Sequence, residues 1–431
     1  MQSSTKHNPV IPGALAVVVG AGASGEAAAR LLRQKGAKVR LLERNPDKVG
    51  PGLLALASEI GVEIITGPHE PAHFAGASLV VPSPGVPFTI LRPLLDAAGS
   101  PPMLAEMELA YRYVTEPILA VTGTSGKTTT VSLAAAMLEE AGKKVFLGGN
   151  IGTPLSNYVL AGKPADVLVL EASSFQLMGC TTLKPRVGVL LNISPNHLDQ
   201  HESMHEYVEA KFSLFERQTE EDLALFGASL EDEVPLHAIG GRMEFFTTPE
   251  TKWETPLMGA HNQLNIEAAY RAVCEFGVSR EDAAKAAAAF KPLENRLELV
   301  GEWDGVAYVN DTKCTTVSAL EVALKSMDRP TLLLVGGVFK GGDLEALIPL
   351  LKEKVKAVGM FGKSREIFTK AWEGTVPLFW AATLEEAMRG LRDEAVPGDV
   401  ILLAPATASF DLYANYAARG ADFRRVAELL R

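Results

Sequence analysis

Apolar residues along this chain gather in short blocks, and each block gives way to a turn and then to a stretch where apolar positions recur every three or four residues. The first block, 15–20 (LAVVVG), runs into a glycine-rich turn, and 26–35 then carries Ala and Leu at helical spacing. Blocks at 39–42, ending in Glu43, at 62–66 and at 78–81 repeat the alternation. A proline-rich interruption at Pro101 and Pro102 separates them from a second series. That series opens with a strand at 118–122 and another glycine-rich turn, adds strands at 167–170 and 187–192, and places helices near 204–217 and 262–276. A second break at 293–296 precedes 297–303 and 306–309, which flank an Asp-Gly turn and are expected to pair as a hairpin. Buried-type strands at 332–335, 357–361 and 400–403 complete the pattern. Strands alternating with helices predict an α/β fold with parallel, doubly wound sheets. The two breaks predict three domains, 1–102, 103–294 and 295–431, with Rossmann-like domains on either side of a central P-loop type.

Composition narrows the class. A chain of 431 residues, 47% of them hydrophobic, exceeds one core. No apolar stretch reaches the roughly 18 to 20 residues of a membrane span, and the polar start MQSSTKHNP does not lead into a signal-peptide pattern, so a soluble protein that is not exported is expected. Cys180, Cys274 and Cys314 are scattered, which suits neither a disulfide framework nor paired metal ligands and points to a reducing cytoplasm. The net charge of −11 opposes nucleic acid, so a basic site for a phosphorylated ligand must be local.

The sharpest chemical signal is Gly123-Thr124-Ser125-Gly126-Lys127-Thr128-Thr129, between a strand and a helix. Backbone N–H groups and the helix N-terminus can cradle phosphate there, Lys127 can neutralise terminal phosphates, and the Thr128 hydroxyl can reach Mg2+. The spacing between the glycines is shorter than in the full Walker pattern, but a merely structural turn has no need of the Lys-Thr-Thr that follows. Upstream, Gly20-Ala21-Gly22-Ala23-Ser24-Gly25 with Glu43 resembles a dinucleotide fingerprint, which would suggest an NAD-linked dehydrogenase. A simple oxidoreductase has no use for a second, ATP-type loop, so a UDP-type ligand is favoured. Ser83-Pro84-Gly85-Val86-Pro87 reads either as a rigid turn or as a loop offering backbone N–H groups to a ligand. Glu171, His197 and Lys211 follow successive strands and can surround a metal between ATP and an acceptor carboxylate, although any one of them alone is more often structural. Asn310-Asp311-Thr312-Lys313, Gly336-Gly337-Val338-Phe339-Lys340 and 405–411, with Ser409 and Asp411, each follow a strand; solvated loop lysines are the plain alternative to three loops converging on one edge.

VTGTSGKTT, GNIGTP, EASSFQL, NISPNHLDQH, EAKFSLF, GAHNQLN, NRLE and NDTK occur in an order that resembles the Mur ligase family, ATP-dependent ligases that build the bacterial cell-wall peptide. EASSFQL with APATASFDLYANYAARGADF resembles the branch that adds D-glutamate, and the DNPR motif of a sister branch is absent. The resemblance implies a UDP-substrate domain, an ATPase domain and a C-terminal domain that binds the amino acid and closes over the site. It implies that Ala23, Ser24, Glu43, Arg44, Ser83, Gly85 and Asn150 contact UDP-N-acetylmuramoyl-L-alanine, and that loop 123–129, Asn262, Asn265, Arg296 and Asp311 serve ATP. Thr128, Glu171, His197 and Lys211 would surround two Mg2+, with Lys211 carbamylated, and Lys127, His197 and Lys211 would carry the reaction. Lys313, Thr315, Lys340, Ser409 and Tyr416 would bind D-glutamate, and a monomer is expected. Ser125, Asn196, Gln200 and Asn295 stand where the family usually has Asn, Asp, Arg and His, and Thr407 where Cys is common. A folylpolyglutamate synthase-like ligase and a non-catalytic UDP-sugar or ATP binding protein are the alternatives.

Overall fold

In the computed structural model, which describes residues 8–195 and 201–431, the first sheet is built on β1 (Leu15–Val19), whose valines are fully buried. α1 (Ala23–Gln34), β2 (Lys38–Glu43), α2 (Pro51–Ile60), β3 (Val62–Thr66), β4 (Ala77–Pro82) and α3 (Phe88–Ala97) complete a parallel four-stranded sheet ordered β3-β2-β1-β4. α1 begins three residues before the periodic apolar pattern does, because extended Gly22 serves as its N-cap and Glu26 falls in its first turn. Its N-terminus therefore opens straight onto the glycine-rich turn.

The second sheet follows α4 (Glu106–Tyr111). It comprises β5 (Ile118–Thr122), α5 (Lys127–Glu140), β6 (Val145–Gly149), α6 (Leu155–Ala161), β7 (Val167–Glu171), α7 (Ser174–Met178), β8 (Val187–Leu190), α8 (Met204–Phe212), β9 (Leu223–Gly227) and β10 (Arg242–Phe246). All pairs are parallel, in the order β10-β9-β8-β5-β7-β6. β5, β7, β8 and β9 are buried at every position, as expected of strands covered on both faces. Two expectations are corrected here. α8 stops at Phe212 rather than near 217, because the chain turns there to pack Phe215 beneath Phe226 and to bond the Gln218 amide to the Pro185 and Leu223 carbonyls. β8 ends at Leu190, since the Asn192 carbonyl accepts the Thr124 N–H instead of extending a strand ladder. α9 (Ala260–Cys274) and α10 (Arg280–Ala289) follow. Residues 1–251 with 264–287 form one compact unit, and a continuous apolar core joins its two sheets, with α1 packed against α4 and α6.

The other compact unit, 252–263 with 288–431, holds a third sheet. β11 (Glu298–Trp303) and β12 (Val306–Asn310) form the expected antiparallel hairpin, with Asp304 and Gly305 both at positive φ in its turn. α11 (Val317–Lys325), β13 (Thr331–Gly336), α12 (Ile348–Lys354), β14 (Val355–Phe361), α13 (Arg365–Trp372), β15 (Leu378–Trp380), α14 (Leu384–Glu394), β16 (Val400–Leu403) and α15 (Tyr416–Leu429) complete it. The order is β11-β12-β16-β13-β14-β15, parallel except for the hairpin, with a separate apolar core on each face. Among the described residues no helix is long and apolar enough to cross a membrane.

Candidate functional site

The loop between β5 and α5 is shaped by Gly123 and Gly126, at φ of +146° and +87°. A Cβ on Gly126 would lie 2.5 Å from Asn265 Oδ1, so α9 underpins the loop directly. The Ser125 backbone is clamped by Asn192, its N–H donating to Oδ1 at 2.9 Å and its carbonyl accepting from Nδ2 at 3.1 Å. The Ser125 side chain is therefore not needed to shape the loop. Thr124 Oγ1 lies 2.9 Å from the Tyr207 hydroxyl, which ties the loop to α8.

Lys127 folds back on this loop, its Nζ donating to the Gly123 and Thr124 carbonyls at 2.8 and 3.0 Å. Lys211 is only 1% exposed and donates to the same Gly123 carbonyl at 3.1 Å, with its Nζ 4.4 Å from the Tyr207 ring centre. Burial, reinforced by the Lys127 ammonium, lowers its pKa to about 6, so the uncharged amine prevails at neutral pH. At the end of β7 the buried Glu171 carboxylate accepts from Thr128 Oγ1 and from Asn150 Nδ2, each at 2.8 Å. The 123–129 loop, Glu171, Lys211 and Asn150 thus come together. His197, with Asn196 and Gln200, lies outside the described residues. His201, not singled out from sequence, is a packed core histidine, with Nε2 2.9 Å from Ser174 Oγ and its ring stacked on Phe175.

The Thr128 hydroxyl and Glu171 carboxylate are hard oxygen donors and suit Mg2+, which takes one or two protein ligands alongside phosphate. Among the described residues no three His, Cys, Asp or Glu side chains form a self-sufficient metal cage. A lysine amine is a poor magnesium ligand, so Lys211 fits a second cation only as an anion.

On the first sheet Gly25 approaches Gly20 so closely that a Cβ on it would sit 1.9 Å from the Gly20 carbonyl oxygen. Glu43 accepts the Ala21 and Asn45 N–H groups at 2.8 and 2.9 Å. Burial raises its pKa, but these two donors, with Lys48 and His69, outweigh burial and leave it lowered. A carboxylate offers about four acceptor positions, so a ribose hydroxyl remains compatible. The Ser83 N–H donates to the Val19 carbonyl and the Val86 N–H to the Ser83 carbonyl, so the turn uses two amides internally and is a narrower donor set than its sequence suggested. Ala23 and Ser24 open α1, and Arg44 and Gly85 follow β2 and β4, all at the carboxyl edge of this sheet.

At the corresponding edge of the third sheet, the three predicted loops are joined by a residue the sequence reading passed over. Arg419 on α15 has no exposed surface. Its Nε donates to Thr312 Oγ1 at 2.9 Å, Nη1 to the Gly336 carbonyl at 3.1 Å, and Nη2 to the Thr312 and Thr407 carbonyls at 3.0 Å each. Burial lowers its pKa to about 10, which still leaves it charged at neutral pH. The available signal was its position four residues before buried Phe423, on the inward face of the helix. Thr407 Oγ1 also donates to the Gly336 carbonyl, at 2.6 Å. Lys313 Nζ lies 4.0 Å from the Tyr416 ring centre. Asp311 keeps some solvent access but is deeply enclosed; burial pushes its carboxyl up to about 7, against the opposing influence of the Arg296 guanidinium and the Leu297 N–H. Asn295 sits at φ +65°, which asparagine tolerates, and its Oδ1 accepts from Asn310 and Arg424. Ser409 is buried, Thr315 half-buried and Lys340 exposed. The Asn262 amide donates to the Met258 carbonyl near the start of α9.

Three families match successive segments: the Mur ligase MurD-like N-terminal domain at 14–101, the Mur ligase middle domain at 121–234 and the Mur ligase, glutamate ligase domain at 295–407. The UDP-N-acetylmuramoylalanine--D-glutamate ligase of Nitratidesulfovibrio vulgaris is 57% identical over 426 residues, covering 99% of this chain and 98% of its own. The protein of the same name from Oleidesulfovibrio alaskensis is 55% identical, covering 97% and 94%. MurF ligase from Thermotoga maritima, solved with ADP, has a TM-score of 0.60 at 19% identity, covering 98% of this chain and 95% of that one. Mycobacterium tuberculosis folylpolyglutamate synthase has a TM-score of 0.56 at 15% identity, covering 76% and 93%, which is a likeness of fold. Fold and loop define a multidomain α/β enzyme of the P-loop nucleotide-binding class. The matches place it further, for the chain belongs to the Mur ligase family.

Proposed function

We propose that this chain joins D-glutamate to UDP-N-acetylmuramoyl-L-alanine at the cost of ATP, releasing ADP and phosphate, as a step in peptidoglycan precursor synthesis. The relatives that span nearly its full length carry that name, and membership in a ligase family removes the dehydrogenase reading of the first glycine turn. The observation that carries the chemistry is the join of Thr128, in the phosphate loop, to Glu171, whose other oxygen holds Asn150 of the GNIGTP segment. It sets a nucleotide loop beside a segment assigned to the acceptor. In this reading the domains are 1–102, 103–294 and 295–431, and the chain works as a cytoplasmic monomer.

A carboxylate is a poor electrophile at neutral pH, so the acceptor carboxylate attacks the γ-phosphorus of ATP, the bond to ADP breaks, and an acyl phosphate forms. Lys127 leaves the Gly123 and Thr124 carbonyls to meet the terminal phosphates, and the α5 N-terminus supports their charge. Thr128 and Glu171 would hold Mg2+, which spreads the charge developing on the transferring phosphoryl group. The D-glutamate amine then attacks the acyl carbon, and phosphate departs as the amide bond forms. Lys313, Lys340, Thr315, Ser409 and Tyr416 bind the amino acid, and charge-assisted bonds to its carboxylates select it. Ala23, Ser24, Glu43, Arg44, Ser83 and Gly85 hold the UDP moiety; Asn262, Asn265, Arg296 and Asp311 serve the nucleotide; His197 completes the group around the metals.

The buried, uncharged Lys211 amine is the form that adds CO2 and releases a proton, which supports its carbamylation. The resulting carboxylate-like group suits a second Mg2+. The deciding assay measures phosphate release from ATP with the UDP acceptor and bicarbonate, comparing D-glutamate, L-glutamate and no amino acid. Release that requires D-glutamate and acceptor together is expected; none under any combination would leave only a binding protein.

A further inference from the structure

The turn after β14, Gly362-Lys363-Ser364, was not among the loops that sequence singled out, yet it touches two of them. Ser364 is 2% exposed. Its hydroxyl donates to the Gly337 carbonyl at 2.5 Å and accepts the Phe339 N–H at 3.1 Å, so one side chain closes the bend immediately before Lys340. The bend is held on its other flank as well. A Cβ on Gly337 would lie 2.2 Å from the Ala408 carbonyl oxygen, and Val338 and Ala408 exchange backbone hydrogen bonds at 2.8 and 3.0 Å. Asp411 Oδ2 accepts the Lys363 N–H at 3.0 Å, which ties the turn to the loop carrying Ser409.

Lys340 itself is exposed, and no ion pair holds its ammonium among the described residues. Where its side chain begins is therefore set by the backbone it leaves. We infer that Ser364 is a positioning residue for amino-acid binding: by fixing the Gly337–Phe339 bend it sets where the Lys340 ammonium meets a carboxylate of the incoming amino acid. This rests on the reading of Lys340 as a D-glutamate ligand. Removing the hydroxyl leaves the bend without its two closing bonds, and the site must then order it on binding.

The test is steady-state phosphate release by the full chain with Mg-ATP and the UDP acceptor saturating and D-glutamate varied. Ser364→Ala raises KM for D-glutamate about tenfold, while KM for ATP and for the acceptor stays within about twofold. Ser364→Cys, which keeps the side-chain connectivity but offers only a larger, weakly hydrogen-bonding sulfur, gives the same split and stands in should the alanine variant not fold. Ser364→Thr, which keeps the hydroxyl, restores a low KM. In a Lys340→Ala background Ser364→Ala adds no further rise, because its effect runs through Lys340. An unchanged KM for D-glutamate, a rise shared equally by all three substrates, or a full further rise in the Lys340→Ala background overturns the inference. A wild-type chain with no D-glutamate-dependent release overturns instead the functional reading beneath it.

Discussion

Lys127 and Lys211 donate to a single acceptor, the Gly123 carbonyl, at 2.8 and 3.1 Å. Burial disfavours the charged form of Lys211, and the neighbouring Lys127 ammonium adds repulsion, so Lys211 gives up its proton more readily. The Lys211 pKa falls from 10.5 to about 6, so between those values the folded chain binds fewer protons than the unfolded chain, and stability rises with pH across that window. In CO2-depleted buffer, Lys211→Met is expected to flatten the dependence of Tm on pH and to raise Tm near neutrality by about 2–4 °C. It should also cut D-glutamate-dependent phosphate release by at least about a hundredfold. With 13C-labelled bicarbonate the wild-type chain should show a carbamate carbon resonance that the variant lacks; its absence from the wild type would count against carbamylation.

Asp311 has the opposite sign. Its carboxyl rises from 3.8 to about 7 on folding, so the folded state holds the extra proton and stability is lost as pH climbs through that interval. Asp311→Asn should therefore gain more thermal stability over wild type at pH 8 than at pH 5, read by calorimetry at matched ionic strength. An equal gain at both would show that the carboxyl titrates normally.

Arg419 fixes three loops through a planar fork, a shape an ammonium cannot reproduce. Arg419→Lys leaves buried carbonyls unpaired at about 1–3 kcal/mol each and should lower Tm clearly. Of the kinetic constants, KM for D-glutamate should rise most, since the loops concerned carry Lys313, Lys340 and Ser409. A variant with wild-type Tm and KM would make the network ornamental.

Gly25→Ala drives a Cβ against the Gly20 carbonyl and the Ser83 hydroxyl, both on the first sheet. Nucleotide binding, followed with a fluorescent ATP analogue, should stay within about twofold of wild type, whereas acceptor-dependent phosphate release should fall by at least about a hundredfold. Loss of both together would mean that the unit fails as a whole.

Much of this was legible in the residues. Local patterns such as Gly123 to Thr129, the Asp304-Gly305 turn and the apolar strand blocks carry their meaning within a few positions. What escaped depends on distant pairing. Nothing near Arg419 or Ser364 announces that their partners lie at Thr312, Gly336, Gly337 and Thr407, because those contacts exist only once β12, β13, β14 and β16 lie side by side. The end of α8 likewise depends on distant packing: helical periodicity runs past Phe212, but the aromatic packing of Phe215 wins.

Glu171 has no idle oxygen. One belongs to Thr128 and the other to Asn150, so a cation arriving at the phosphate loop must share or displace the first bond, and a ligand seated on the GNIGTP segment disturbs the second. Whatever each ligand does to the other's affinity must be reciprocal. The coupling between nucleotide and acceptor binding then runs through one carboxylate, and titrating Mg-bound ATP analogue with and without the UDP acceptor would reveal it as a shift in Kd that vanishes in Asn150→Ala.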